Sequence, residues 1–279
     1  MKAAAFAYDR PTDVKTALAL MARADGTAKV IAGGQSLGPM LNLRLVEPDL
    51  IVDISGISEL KWAERRGDEL VIGACVTHGD IEDGRIPDVT RGAMQRVASA
   101  IAYRAVRNRG TIGGSLSHAD PSADWVSALS ALGAKVTLRS VTGTRDLLIE
   151  EFVTGALESA LRPGEIVEAV RVPAMMPSAR WGYVKACRKI GEFAHAIAAV
   201  LIDPEQATAR AVIGALDGAP VVLGDATALF DGRVTGDFKQ QFDARVADAI
   251  LTKAGIANAA DRHIHIAVLR RAISEAATA

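Results

Sequence analysis

Two glycine pairs, each followed by a hydroxyl residue, constrain this chain more than any other feature. The first stands in AGGQSLGPMLNLRL (32–45), directly after the apolar run KVIA (29–32). The second stands in GTIGGSLSHADPSADW (110–125). A strand that ends in consecutive glycines can turn several backbone N–H groups toward one point, because glycine reaches φ > 0 freely. Taken singly, such a pair is either a tight turn or part of an anion-binding nest. Neither stretch has the spacing of the common nucleotide loops: G-x-G-x-x-G is absent, and no lysine follows Gly38 as in G-x-x-x-x-G-K-S/T. Two such loops in neighbouring α/β units can face each other across a cleft. Shared N–H donors would then satisfy a pyrophosphate without a strongly basic pocket.

The patterning around the loops alternates strands and helices. Residues 12–23 put Val14, Leu18 and Met21 on one helix face, with Thr12 as the expected N-cap. AKVIA (28–32) and LIVDI (50–54) read as strands flanking a helix that Pro39 opens and that carries Met40, Leu43 and Arg44. Residues 1–55 thus form a β-α-β unit. LVIGACV (70–76) and AKVTLRS (134–140) read as strands, and 89–98 and 121–131 as helices, of a second α/β piece over 56–172. VPAMMPSAR (172–180) reads as a linker. Beyond it, 180–189, 194–203 and 207–216 are strand-like runs expected to form an antiparallel meander, with helices around 242–251 and 265–273.

Composition removes whole classes of function. A formal net charge of −1 and 4% aromatics provide neither a basic footprint nor stacking platforms for nucleic acid. No apolar run approaches the ~18 residues of a transmembrane segment. The opening MKAAAFAYDRP lacks a signal-peptide pattern, so a cytoplasmic protein is expected. Cys75 and Cys187 are far apart, and an iron–sulfur cluster takes four thiolates. In His263-Ile264-His265 the i, i+2 spacing does not converge on one helix face, so no metal site is expected. Arg104, Arg107 and Arg109 read as an anion site, a partner contact or a solvated face, with the last two together favoured. No G-x-S-x-G elbow supports nucleophilic hydrolysis.

AGGQSLGPMLNLRL and NRGTIGGSLSHADPSADW (108–125) together resemble the paired FAD-binding signatures of the medium, flavin-carrying subunit of molybdenum hydroxylases. That family includes carbon monoxide dehydrogenase, xanthine dehydrogenase and the bacterial N-heterocycle hydroxylases. FAYDRPTDVKTALALM (6–21) resembles the family's opening, PGEIVEAVRVP (163–173) its domain junction, and YVKACRKIGEFAHAIAAV (183–200) the start of its C-terminal domain. The resemblance implies an α+β fold: a vanillyl-alcohol-oxidase/PCMH-type FAD-binding domain of two α/β subdomains, 1–55 and 56–172. A C-terminal domain, 173–279, would add a three-stranded antiparallel sheet and a helical bundle.

The resemblance also implies a non-covalent FAD. Ala32, Gly33, Gly34, Gln35, Ser36 and Leu37 would cradle it with Gly110, Thr111, Gly113, Gly114 and Ser117. Lys29, Thr77, Asp120 and Ile166 would complete the site, Lys29 being either an adenosine contact or solvent-exposed. Asp124 is either an acceptor for a ribityl or ribose hydroxyl or a helix cap, since a carboxylate accepts from hydroxyls and repels phosphates. Lys185 matches a family lysine near the flavin, where a cation would stabilise the reduced ring. Phe193 stands where some relatives carry tyrosine, and either covers the flavin or packs in the core. No catalytic side chain is implied, the redox chemistry belonging to FAD. The implied partners are a molybdopterin-binding large subunit and a [2Fe–2S] small subunit, assembled as a dimer of heterotrimers. The acceptor stays open among quinone, NAD, oxygen and a carrier protein. Two other readings remain: a stand-alone FAD-dependent oxidoreductase of the same fold, and a nucleotide-binding scaffold whose glycine pairs are only turns.

Overall fold

The computed structural model describes residues 2–24, 26–189 and 191–278. Its first unit is a parallel sheet of three strands, β1 (Ala7–Asp9), β2 (Ala28–Ile31) and β3 (Leu50–Asp53), in the order β1-β3-β2. Parallel neighbours need a crossover, and helix Val14–Arg23 supplies it by burying Val14, Ala17 and Leu18 in the core that holds Val52, Ile54 and Ile57. The cap of that helix is Asp13 rather than Thr12: the Asp13 carboxylate accepts from the Thr16 N–H at 2.7 Å. A carboxylate at this end also meets the positive end of the helix dipole. The short helix Leu37–Asn42, with Pro39 in its first turn, returns the chain toward β3. Leu43 only caps it, and Arg44 lies beyond it at φ 55°, so the helix is shorter than the apolar spacing predicts.

The second unit is an antiparallel sheet. In chain order its strands are β4 (Ala63–Arg66), β5 (Glu69–Gly73), β6 (Lys135–Ser140) and β7 (Gly143–Leu148). A separate two-stranded ribbon, β8 (Val153–Gly155) and β9 (Glu158–Ser159), precedes the fifth strand, β10 (Ile166–Pro173). The order is β4-β5-β10-β6-β7, which puts the segment PGEIVEAVRVP at the centre of the sheet. β4 and β7 are edge strands with mostly polar, exposed residues, and no apolar run announces them. Helices Ala93–Ala100, Ile112–His118 and Asp124–Ala131 share the core of this sheet with Trp125 and Phe152.

The third unit is a meander of four strands rather than three: β11 (Arg180–Ala186), β12 (Ala196–Asp203), β13 (Thr208–Gly214) and β14 (Val221–Leu223). β14 is three residues long, too short for alternation to reveal. Helix Asp124–Ala131 is buried at every residue because it is packed between this sheet and the previous one. Helix Ala259–Ala276 covers the opposite face with Val268, Leu269, Ala272, Ile273 and Ala276, and helix Ala244–Lys253 packs beside it. Gly182 permits that close approach, since a Cβ there would lie 1.9 Å from the Ala272 carbonyl oxygen. His265 points into this core while His263 stays exposed. No group of three or more metal-ligating side chains occurs among the described residues. No helix among them is long and apolar enough to cross a membrane.

Candidate functional site

A cleft of about 790 Å³ opens between the first two units and the start of the third. That volume lies within the range of cofactor and small-molecule sites. Every cofactor-binding residue expected from the sequence lies on its wall except Thr77. The Thr77 hydroxyl instead accepts from the Asp80 N–H at 3.0 Å and donates to the Asp80 carboxylate at 2.6 Å, capping helix His78–Glu82.

The first glycine loop is an N–H nest. Gly34 takes φ 70°, which a side chain would strain, and the loop then runs into helix Leu37–Asn42. The N–H groups of Gly34, Gln35 and Ser36 find no acceptor among the described residues. The Gln35 side-chain amide folds back onto the Gly33 carbonyl at 3.0 Å and stiffens the turn. Gly33 serves a different purpose. A Cβ on it would lie 1.9 Å from the Arg109 carbonyl oxygen, so the two glycine motifs touch backbone to backbone. Ala32, Leu37, the exposed Lys29 and the buried Ile166 at the start of β10 complete this part of the wall.

The second loop does not share donors as the sequence suggests. Ile112 N–H is bonded to the Val76 carbonyl (3.1 Å), Gly113 N–H to the Ala74 carbonyl (3.0 Å) and Gly114 N–H to the Thr111 hydroxyl (3.1 Å). Ser115 N–H returns to the Thr111 carbonyl (3.0 Å), and the Ser117 hydroxyl donates to the Gly113 carbonyl (2.8 Å). The pair Gly113-Gly114 is therefore a packing feature, since a Cβ on Gly113 would lie 2.5 Å from that of Ala74. What this loop leaves toward the cleft is the Thr111 N–H, without an acceptor among the described residues, beside Gly110.

A buried ion pair forms the far wall. Asp124 is 8% exposed and its Oδ1 receives Lys185 Nζ at 2.8 Å and the Tyr183 hydroxyl at 2.7 Å. Lys185 Nζ also donates to the Ala100 carbonyl at 2.7 Å. The lysine is thus no free cation: Asp124 neutralises it. Burial, with Asp124's negative charge next, raises the Tyr183 phenol well above its ordinary range. Asp124 occupies the first turn of its helix, where a carboxylate is favoured, but the capping position is Ala123.

Asp120 holds a local turn by accepting from the Ser122 N–H at 2.8 Å. Phe193 is 74% exposed at the cleft, which overturns the core-packing alternative. Arg107 is not a solvated side chain. Its guanidinium grips Glu82 (2.8 and 2.9 Å) and the carbonyls of Ile101 and Ala102 (2.9 and 3.1 Å), fixing a stretch of cleft wall. Arg104 pairs with Glu82 and Asp83. Burial pushes the Cys75 thiol up to about 12, so it is inert.

Among the wall or near-wall residues that the sequence reading did not name, three bear on the chemistry of the cleft. Tyr183 sits two positions before Lys185 on β11, hence on the same face, and the period of a strand could have found it. Tyr103 is 57% exposed at the mouth, packed on Gly191. His78 adjoins Thr77 and lies in the cleft wall, bonded at Nδ1 by Trp125 Nε1–H at 3.0 Å. Only its neighbour carried a signal in the sequence.

Comparison with known proteins agrees with this geometry. Residues 4–175 match the family described as FAD binding domain in molybdopterin dehydrogenase. The chain is 32% identical over 295 residues to the caffeine dehydrogenase subunit beta of Pseudomonas sp. (strain CBB1), covering 97% of this chain and 100% of that one. It is 35% identical over 197 residues to the carbon monoxide dehydrogenase medium chain of Hydrogenophaga pseudoflava, covering 71% and 69% of the two. Among solved structures, a chain of the Hydrogenophaga pseudoflava carbon monoxide dehydrogenase superposes with a TM-score of 0.87 at 28% identity, covering 99% of this chain and 98% of that one. A chain of quinoline 2-oxidoreductase from Pseudomonas putida 86 gives 0.85 at 29% identity, covering 100% and 99%.

Proposed function

The chain belongs to the family of FAD-binding domains of molybdopterin dehydrogenases, and from that premise we propose that it is the medium, FAD-carrying subunit of a multi-subunit molybdenum hydroxylase. Bound FAD supplies the chemistry, storing two electrons and exchanging them singly. The electrons come from [2Fe–2S] clusters of a small partner subunit and leave to an external acceptor: quinone, NAD, oxygen or a carrier protein. A large molybdopterin-binding subunit oxidises the substrate, in a dimer of heterotrimers in the cytoplasm.

The observation that carries this reading is the nest of unpaired N–H groups at Gly34, Gln35 and Ser36, set on the wall of a cofactor-sized cleft. A neutral donor array of this kind suits a pyrophosphate, because N–H dipoles meet charge without introducing a counter-charge. Thr111 N–H donates from the opposite loop, which Gly33 holds in place. Asp124 keeps Oδ1 occupied by Lys185 and Tyr183 and offers Oδ2 to a hydroxyl of the cofactor chain. The paired Lys185 brings a positive charge to the wall without a net charge to desolvate. Phe193 and Tyr103 border the opening, where they limit solvent access. On this reading residues 1–55 and 56–172 clasp the cofactor and 173–279 close one side.

The test is direct. Purified protein, as isolated or after FAD addition, is expected to show flavin absorption near ~450 nm. It is expected to co-purify with a molybdopterin subunit and a cysteine-rich small subunit. A chain that takes up no flavin overturns the reading; flavin uptake without partners leaves a stand-alone flavoprotein.

A further inference from the structure

The cleft wall holds a buried titratable side chain that the cofactor reading leaves unused. His78 opens helix His78–Glu82 directly after its cap Thr77 and is 5% exposed. Its Nδ1 receives the Trp125 indole N–H at 3.0 Å. An indole N–H donates and never accepts, so Nδ1 must be the unprotonated nitrogen. In a neutral imidazole the proton then sits on Nε2. Trp125 is fully buried behind the ring. On the other side lies Gly110, where a Cβ would come within 2.9 Å of Nε2. Both His78 and Gly110 line the cleft; Trp125 does not. Nε2–H makes no hydrogen bond to a described residue, and Nε2 is not sealed off: it is open to the cleft. A donor open to the cleft can exchange its water for a bound acceptor.

We infer that His78, locked by Trp125 in the Nε2–H form, is a ligand-binding residue that donates to an anionic oxygen held beside Gly110 and Thr111. The inference rests on the reading that the cleft takes FAD, in which case that oxygen belongs to the pyrophosphate. The neighbouring donors agree. Thr111 N–H is unpaired next to it, and the nest at Gly34–Ser36 is joined to the same place through the contact of Gly33 with Arg109. Burial and the Arg107 charge hold the imidazole down at about 4, so the ring stays a neutral donor at working pH. A neutral donor on the cleft wall matches the rest of the nest, which also binds through dipoles. It explains why no lysine or arginine is needed there.

The test uses the full chain with 15N-labelled histidine, before and after FAD addition. The five histidines are few enough to assign, His78 by its loss in His78→Gln. The expected long-range 1H–15N pattern is an unprotonated Nδ1 and a protonated Nε2 at His78, with the Nε2–H resonance moving downfield when FAD binds. An Nδ1–H form, or an Nε2–H that does not move although the flavin spectrum shows FAD bound, overturns the inference alone. Failure of the wild type to take up flavin overturns the FAD reading and this inference with it. In parallel, His78→Phe should bind FAD roughly tenfold more weakly, as expected for losing one charge-assisted hydrogen bond. His78→Gln keeps an acceptor for Trp125 and a donor for the cleft, and should stay within about threefold. Equal affinity of all three proteins refutes the donor role, and if His78→Phe does not fold, the wild-type spectra decide.

Discussion

The Arg109 carbonyl oxygen occupies the space in which a side chain on Gly33 would begin, 1.9 Å from where its Cβ would stand. The two glycine motifs are thus parts of one packed wall, and the first supplies donors only because the second props it. Gly33→Ala should therefore lower the melting temperature of the flavin-free protein and its FAD affinity together, with overpacking costing about 1–3 kcal/mol. Gly34→Ala acts differently, because it strains the backbone at φ 70° rather than the packing. It should cost ~1 kcal/mol of stability and a larger share of flavin binding by reorienting the nest. Thermal melts with and without FAD separate the two effects.

Asp124 and Lys185 are each nearly buried, with side chains 9% and 12% exposed, so neither tolerates losing the other. Lys185→Met leaves a carboxylate unpaired and should destabilise the protein by roughly 3–5 kcal/mol. The double variant Asp124→Asn/Lys185→Met should recover much of that loss, which a double-mutant cycle by denaturant unfolding measures. Asp124→Asn alone leaves the lysine charge uncompensated beside the cleft. The flavin midpoint potential of that variant should rise, on the order of 30 mV for each ~1.4 kcal/mol of added stabilisation of the two-electron reduced state.

These two walls differ in how far the sequence shows them. The order of the loops, the succession of strands and helices and the two glycine walls of the cleft follow from glycine placement, apolar runs and the family signatures. Wall stretches such as 101–103 and 161–162 carry no such signal. Which atoms of the wall residues remain free does not follow either. Gly113 and Gly114 look like donors in the sequence, yet their N–H groups are spent on Ala74 and on Thr111, contacts set by tertiary packing. Lys185 looks like a free cation, but Asp124, 61 positions away, neutralises it. β4 and β7 are edge strands whose mostly polar faces carry no periodic apolar signal, and β14 is too short to carry one.

Stability should respond to acid above the range where carboxylates titrate. Burial, and next the Arg107 charge, lower His78 from 6.5 to about 4. The unfolded chain therefore binds a proton at this residue before the folded one does, so stability is full above pH 6.5 and declines as the pH falls toward 4. The loss attributable to His78 is ~3 kcal/mol once the lower value is passed. His265, also lowered by burial, acts in the same direction. Paired carboxylates such as Glu82 and Asp80 are held below their usual range and add their loss only at lower pH. Denaturant midpoints of the flavin-free protein between pH 7 and 4.5 should fall, and fall less steeply in His78→Gln.

Arg107 joins the stability of the wall to the state of that histidine. Its guanidinium holds the carbonyls of Ile101 and Ala102, and Ala102 sits at φ 40°, a conformation an alanine keeps only when its surroundings enforce it. Arg107→Met removes both bonds and one of the two arginine partners of Glu82, so the 101–103 stretch should loosen and FAD affinity should fall although position 107 is not itself in the cleft wall. The same change removes the positive charge that depresses His78, so the imidazole should titrate higher than in the wild type. It should remain below 6.5, because burial is the larger cause and is untouched. An NMR titration of His78 in Arg107→Met, read with flavin affinity, checks both parts. A His78 midpoint at or below the wild-type value would show that the charge at 107 does not reach the ring.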